Sequence, residues 1–255
     1  MESLKDMLSD PESLARGLRK NGESHTCYKM YTHMERALNI LLSGHLYLSN
    51  GFSWNDRNDE KVMQEKDVYG LCLSCSTKEN VAMWMLYSGD KGKNGAMVNF
   101  YRSVMLELLS SEHIELGCFD GNRKFQVVRK LSKAKGDYEI FLTDIIYTDF
   151  CKNGVVKLTV NEDHETADQA VLDHSDIFPK NYAWSYEKEC RLIVRLSDKA
   201  EKWAEKEKRP FVRLTMSAQS LKKMNEDRIV RSPIYKGRAE YGALSALTGS
   251  VNWEL

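Results

Sequence analysis

The segment CYKMYTHMERALNILLSGHLYLSN, residues 27–50, constrains the fold more than any other part of the chain. Its aromatic opening, Cys27 to Tyr31, has the composition of a short strand. Thr32 and Glu35 stand at capping-box spacing, in which the two side chains satisfy free N–H groups at a helix start. Met34, Ala37, Leu38 and Leu41 then recur at helical spacing, Gly44 suits a left-handed cap, and HLYLS alternates as a second strand. A chain that passes from strand to helix to strand so quickly is committed to a mixed α and β architecture. The polar run NGFSWNDRNDEK that follows reads as a long loop.

The pattern recurs with different content. VYGLCLSCS reads as a strand, Ser76 and Glu79 as a second capping box, and NVAMWMLYS as a short helix rich in large side chains. GDKGKNG then turns the chain into the strand AMVNF, with Met97 and Phe100 as its large apolar members. Helical pieces (SVMLELLSS, ADQAVLDHSDIF) alternate with strand-like ones (KFQVVRKL, IFLTDIIYTDF, VVKLTV) as far as WSYEKECRLIVRL, which reads as an aromatic turn running into one extended strand. Beyond it the reading is a charged helix around KAEKWAEKEK, a strand FVRLTM, a short helix SAQSLKKM, a strand RIVR and a final helix around AEYGALSAL.

Residues 1–26 form a helical lead-in, with Leu4, Met7, Leu14 and Leu18 at helical spacings. No internal repeat interrupts the chain, and its four prolines mark no linker. The expectation for residues 27–255 is a single compact α+β domain with mixed, mostly antiparallel sheets and peripheral helices.

Composition closes off several classes. Lys plus Arg and Asp plus Glu are both 37, so net charge argues neither for a strongly basic nucleic-acid binder nor for an acidic solvating chain. The charged N-terminus lacks a signal peptide's apolar run, and no stretch approaches the ~18 apolar residues of a membrane span, so a cytoplasmic protein without membrane contact is expected. Six cysteines fit reduced, mostly buried thiols. Cys72 and Cys75 make a C-x-x-C, but a strand points residues three apart to opposite faces, and no second C-x-x-C or histidine pair at zinc spacing accompanies them. No metal site is expected.

Four places could carry chemistry. Tyr28, Lys29, Tyr31 and His33 cluster at the first strand, where β-propensity alone would also supply tyrosines. Trp84 and Tyr87 share a helix face and either wall a pocket or pack in the core. WNDRNDE, Trp54 to Glu60, sets a tryptophan among charges, an unusual residue to leave in water, and so reads as a loop lying over a site. Glu187 and Glu189 project from one face of an extended segment, either into a cleft or along a strand edge guarded by charge.

These segments resemble a bacterial family known as domain of unknown function 2971. The resemblance rests on CYKMY, LSNGFSWNDRND, MWMLYSGDKGKNGAMVNF and KNYAWSYEKECRLI, in order and spacing over roughly residues 27–240. YKMYTHMERALNILLSGHLYLS is more distantly similar to the opening of ADP-ribosyltransferases, above all the toxins that modify nucleic acid. That second resemblance implies an ADP-ribosyltransferase-like fold and NAD as substrate. It implies a nicotinamide and ribose site drawn from Tyr28, Lys29, Tyr31, Trp84, Tyr87 and Trp184, with Glu189 catalytic and Glu187 acting on the acceptor. Where that superfamily often has histidine on the first strand, this chain has Lys29 or Met30.

The basic run RKFQVVRKLSKAK, with Arg123, Lys124, Arg129 and Lys130, offers a surface for an RNA or DNA acceptor, unless it is simply solvated. The expected role is a toxin or phage-defence effector, which an antitoxin protein would neutralise. The rival reading is a non-enzymatic binding module or a nuclease-type effector, with the glutamates on a structural edge and the aromatics in the core.

Overall fold

The computed structural model describes residues 4–8, 10–52, 54, 56–66, 68–88, 90–150, 155–160, 162–197, 209–224 and 228–233. The helices expected around KAEKWAEKEK and AEYGALSAL lie outside them. The strands are β1 (Cys27–His33), β2 (His45–Ser49), β3 (Val68–Ser74), β4 (Gly95–Tyr101), β5 (His113–Phe119), β6 (Phe125–Ser132), β7 (Tyr138–Asp144), β8 (Ile146–Phe150), β9 (Val155–Val160), β10 (Asp163–Asp168), β11 (Pro179–Asn181), β12 (Glu189–Leu196), β13 (Phe211–Thr215) and β14 (Ile229–Arg231). Among the described residues one sheet runs β14-β4-β1-β3-β2-β13-β5-β6, with β12 on β3 and β7 on β12, and a second runs β10-β9-β8-β11. The β8–β11 pair is parallel and the other ladders are antiparallel. The result is an α+β fold with mostly antiparallel sheets.

The position of the site follows from how β3 is paired. β12 occupies one edge of β3 over its whole length, from Glu189 opposite Ser74 to Arg195 opposite Val68. On the other edge β1 is paired through Lys29 and Ser74, and β2 through Ser49 and Gly70. Two strands that hold one edge at separate points must diverge, and a gap opens between them.

Local structure departs from the sequence reading at both expected capping boxes. β1 runs on through Thr32 to His33, because β4 pairs with it as far as His33 opposite Gly95. The helix Met34–Ser43 therefore starts one residue late, and the Met34 N–H donates to the Asn94 carbonyl at 2.9 Å, with no side-chain cap. Its C-cap is as expected, Gly44 at φ 69. At the second box Asn80 is the cap, its side chain accepting from Ala82 N at 2.9 Å, while Glu79 accepts from the Trp84 indole N–H at 2.8 Å.

Two further stretches differ. ADQAVLDHSDIF is not one helix but the end of β10 followed by a 3-10 turn, Gln169–Asp173. The expected loop after β2 contains a helix, Arg57–Glu65, whose start is capped by Asp56 accepting from Asn58 N at 2.8 Å. Asp59 and Glu60 in its first turn favour the positive end of the helix dipole.

The main core lies between the large sheet and the helices Met34–Ser43 and Arg102–Leu109. The helical lead-in consists of Leu4–Met7 and Pro11–Ser24, the latter capped by Asp10. Leu4, Met7, Leu14 and Leu18 are all buried in a second cluster with Ile146, Val156 and Leu158. Gly22 lets the longer helix press on β7: a Cβ there would stand 2.9 Å from Thr143 N and 3.0 Å from Leu142 C. Helix propensity alone predicts that Gly22→Ala stabilises by about 1 kcal/mol. A clash with backbone, which cannot swing aside, predicts a net loss of about 1–3 kcal/mol. Chemical denaturation of the variant should show the loss, and a gain would mean that the helix does not seat on β7 as described.

Candidate functional site

The gap between β1 and β2 is a cavity of about 1120 Å³. Lys29, Tyr31 and His33 line it from β1, Tyr47 and Ser49 from β2, and Cys72 and Ser74 from β3. Trp54, Asp59, Tyr87, Lys180, Glu187 and Glu189 also contribute to its wall.

Five buried charges meet there. Lys180, on β11, sends its Nζ to Glu187 Oε2 at 2.6 Å, Glu189 Oε2 at 2.9 Å and Asp59 Oδ2 at 3.5 Å. Arg191, fully buried, donates from Nε to Glu189 Oε1 at 2.6 Å and from Nη2 to Asp59 Oδ2. Its guanidinium lies 4.7 Å from the Trp54 ring centre, and the Trp54 N–H donates to Ser49 Oγ at 3.1 Å. Glu189 and Arg191 share a face of β12 because side chains two apart on a strand point the same way. The Glu189 N–H is fixed by the Tyr147 hydroxyl at 2.9 Å. Asp59 Oδ1 is buried without a hydrogen-bond partner among the described residues. A buried carboxylate oxygen in that state is rare, and a donor on a bound molecule would satisfy it.

The titration of the cluster follows from its charge count. Asp59, Glu187 and Glu189 outnumber Lys180 and Arg191, so one negative charge is left uncompensated in a buried place. Burial raises two of the three carboxyls: that of Asp59, against the pull of Arg191, and that of Glu187, which burial and then the Glu189 charge push up to about 7. Burial also disfavours the charged form of Glu189, but Arg191 and Lys180 outweigh it and hold that carboxyl well below the usual range. Lys180 loses solvation yet stays firmly protonated, because Glu189, Asp59 and Glu187 surround it. The Tyr87 hydroxyl donates to Glu187 Oε1, and burial with the nearby Glu187 charge raises its own pKa. The site thus contains one carboxylate locked in the ionised form and, beside it, one that exchanges a proton near neutral pH.

The two glutamates meet by a route the sequence did not suggest. Tyr182–Glu187 is a 3-10 turn rather than strand, and Lys188 in the left-handed region, φ 46, swings the chain into β12 at Glu189. Both residues are buried, at 3% and 5% exposure, so a solvated strand edge is overturned. Ser74 Oγ fixes the turn by donating to the Glu187 carbonyl at 2.6 Å.

Of the other expected site residues, Lys29, Tyr31, Tyr87 and Arg123 line the cavity. Tyr28 does not: it is fully buried in the main core, its hydroxyl donating to the Gly22 carbonyl at 2.7 Å. Trp84 is also core, packed edge-on against Tyr31 at 4.9 Å. Trp184 backs the cluster from outside, its ring 5.3 Å from Lys180 Nζ. Lys124 and Lys130 are exposed and Arg129 half-buried along the β5–β6 hairpin, away from the cavity wall. Lys180, Arg191 and Asp59 were missed as site residues, although the tryptophan in WNDRNDE pointed to the segment that supplies Asp59.

The sequence profile of a family described as "Protein of unknown function (DUF2971)" matches residues 83–192, which span Tyr87, Lys180, Glu187, Glu189 and Arg191. No curated protein and no solved structure matches the chain.

The charge count can be tested by pH. Because the folded chain raises Glu187 from 4.5 to about 7, the folded state holds more protons than the unfolded state between those values. This group's contribution to stability therefore falls as pH rises from about 4.5 to about 7. Glu187→Gln removes that component, so the denaturation midpoint should fall less between about pH 5 and pH 8 in the variant than in the parent. Equal falls in the two proteins would show that Glu187 does not titrate in this range.

Proposed function

We propose that the chain is an ADP-ribosyltransferase-like enzyme that cleaves NAD and transfers ADP-ribose to a macromolecule, with nucleic acid as the first candidate acceptor. The observation that carries this reading is the pairing of Glu189 and Glu187 in the wall of a cavity of about 1120 Å³ between two strands splayed from one edge. That volume stands just above the range for small-molecule sites, about 300–1,000 Å³, as a dinucleotide with an acceptor group requires. The likeness of the strand, helix, strand opening to ADP-ribosyltransferases supports the same reading.

The chemistry follows from the charge states. Breaking the bond between ribose and nicotinamide builds an oxocarbenium-like positive charge, as in glycoside cleavage. Glu189, held ionised by Arg191 and Lys180, stabilises that charge and accepts from the ribose 2′-OH with lone pairs its ion pairs leave free. Glu187, which takes up and releases a proton near pH 7, suits the task of general base toward the acceptor. Tyr87 supplies an aromatic wall for the flat nicotinamide, and Tyr31 and Lys29 line the same cavity. Arg123 at the cavity and the exposed Lys124 and Lys130 beyond it give an anionic acceptor an approach. No helix of the described residues is long and apolar enough to cross a membrane. The biological role consistent with this chemistry is that of a toxin or phage-defence effector, with an antitoxin as partner.

One observation favours the rival, a non-enzymatic binding module. Both glutamates are ion-paired and almost fully buried, which a purely structural network would also produce. The two readings separate on paired substitutions. Glu189→Gln keeps shape while losing charge, so nicotinamide release should fall by roughly 10²–10³ with folding retained. Glu187→Gln should impair transfer to RNA or DNA more than nicotinamide release, since a base matters only with an acceptor present. Growth inhibition by the expressed protein should weaken in parallel. Undiminished release by a folded Glu189→Gln variant, or no release by the parent with nucleic acid present, leaves the binding module as the account.

A further inference from the structure

A second cluster sits on the opposite side of β12. Strand register creates it: Cys190 stands opposite Asp144 in β7 and opposite Leu73 in β3, so all three share a face. Cys75 lies two residues beyond Leu73, and its N–H continues the ladder by donating to the Lys188 carbonyl at 2.8 Å. Cys75 and Cys190 thus come together on the side away from Glu189, while Cys72, the other member of the C-x-x-C, lines the cavity. His25, which ends the helix Pro11–Ser24, closes the group from above. Its Nε2 lies 2.6 Å from Asp144 Oδ1.

We propose that His25, Cys75 and Cys190 form a binding site for a divalent zinc ion. Among the described residues one ligand atom from each of the three lies within 4.8 Å of the others. Tetrahedral zinc with sulfur at about 2.3 Å and nitrogen at about 2.0–2.1 Å needs ligand atoms roughly 3.4–3.8 Å apart, so side-chain adjustments of about 1 Å complete the site. Two thiolates and an imidazole are a soft donor set suited to zinc rather than to magnesium or calcium. Asp144 Oδ1 holds Nε2, the part a carboxylate takes behind a zinc-bound histidine, and zinc would bind through Nδ1 in place of its proton. The fourth position falls to water, since His25 and Cys75 are only part-buried. A metal there would tie the N-terminal helix to β3 and β12, one residue from Glu189 on the strand's other face. The C-x-x-C supplies one ligand rather than two, which is why zinc spacing could not be read from the sequence.

The test is the metal content of the full chain, purified without added metal and dialysed, together with titration of the metal-free protein by cobalt. The parent should hold one zinc ion per chain and, with cobalt, give a thiolate-to-metal charge-transfer band. Cys75→Ser and His25→Ala should each lose most of the zinc, whereas Cys72→Ser on the other face should keep it. A folded parent that neither retains zinc nor gives the cobalt band overturns the site. So does zinc lost equally from Cys72→Ser and Cys75→Ser.

Discussion

One ammonium group, that of Lys180, faces carboxylates carried by three separate structural elements. Glu187 arrives from a 3-10 turn, Glu189 from β12 in the large sheet, and Asp59 from the helix after β2, while Lys180 itself belongs to β11 in the small sheet. The two sheets, the turn and the helix are thereby held in one geometry. Burying so many charges is not a cheap route to stability. Desolvation offsets most of the Coulomb gain, and apolar residues of the same volume would often serve as well or better. Removing one partner of such a group typically costs about 3–5 kcal/mol, because the charges left behind are stranded. A network of this kind makes most sense where the charges themselves are used.

The proposed use of these charges depends on asymmetry. Arg191 and Lys180 are both committed to Glu189, which stays ionised, whereas Glu187 shares only Lys180 and a tyrosine hydroxyl. Environments that push two neighbouring carboxyl groups apart in pKa are the usual sign of divided roles, one electrostatic and one in proton transfer. The divergence of β1 and β2 then matters because it brings the pair to a cavity instead of sealing it in a closed sheet.

Much of the fold was legible in the sequence because strand and helix periodicities are local. β1 to β4 and the helices Met34–Ser43 and Val81–Tyr87 lie close to where apolar spacing set them. The capping boxes failed for different reasons: pairing with β4, remote in sequence, kept Thr32 in the strand, whereas Glu79 was taken by a local partner, the indole of Trp84 five residues on. The glutamate pair was visible but its geometry was not, since only a left-handed Lys188 lets residues from a turn and a strand converge. The cations were passed over although Glu187 and Glu189 lie close to both in sequence; what was invisible was their meeting with Asp59, 132 positions from Arg191. The aromatic residues divided, Tyr87 going to the cavity and Trp84 three positions earlier to the core, a choice that helix spacing alone does not make.

The central claim is that this cavity receives NAD with its nicotinamide ribose against Glu189. A crystal structure of the full chain soaked with NAD, or with an analogue whose glycosidic bond does not break, tests it most directly. The account predicts the ribose 2′-OH within hydrogen-bond distance of Glu189 and the nicotinamide ring against Tyr87. Dinucleotide bound elsewhere, or a cavity that stays without it at saturating concentration, would contradict it.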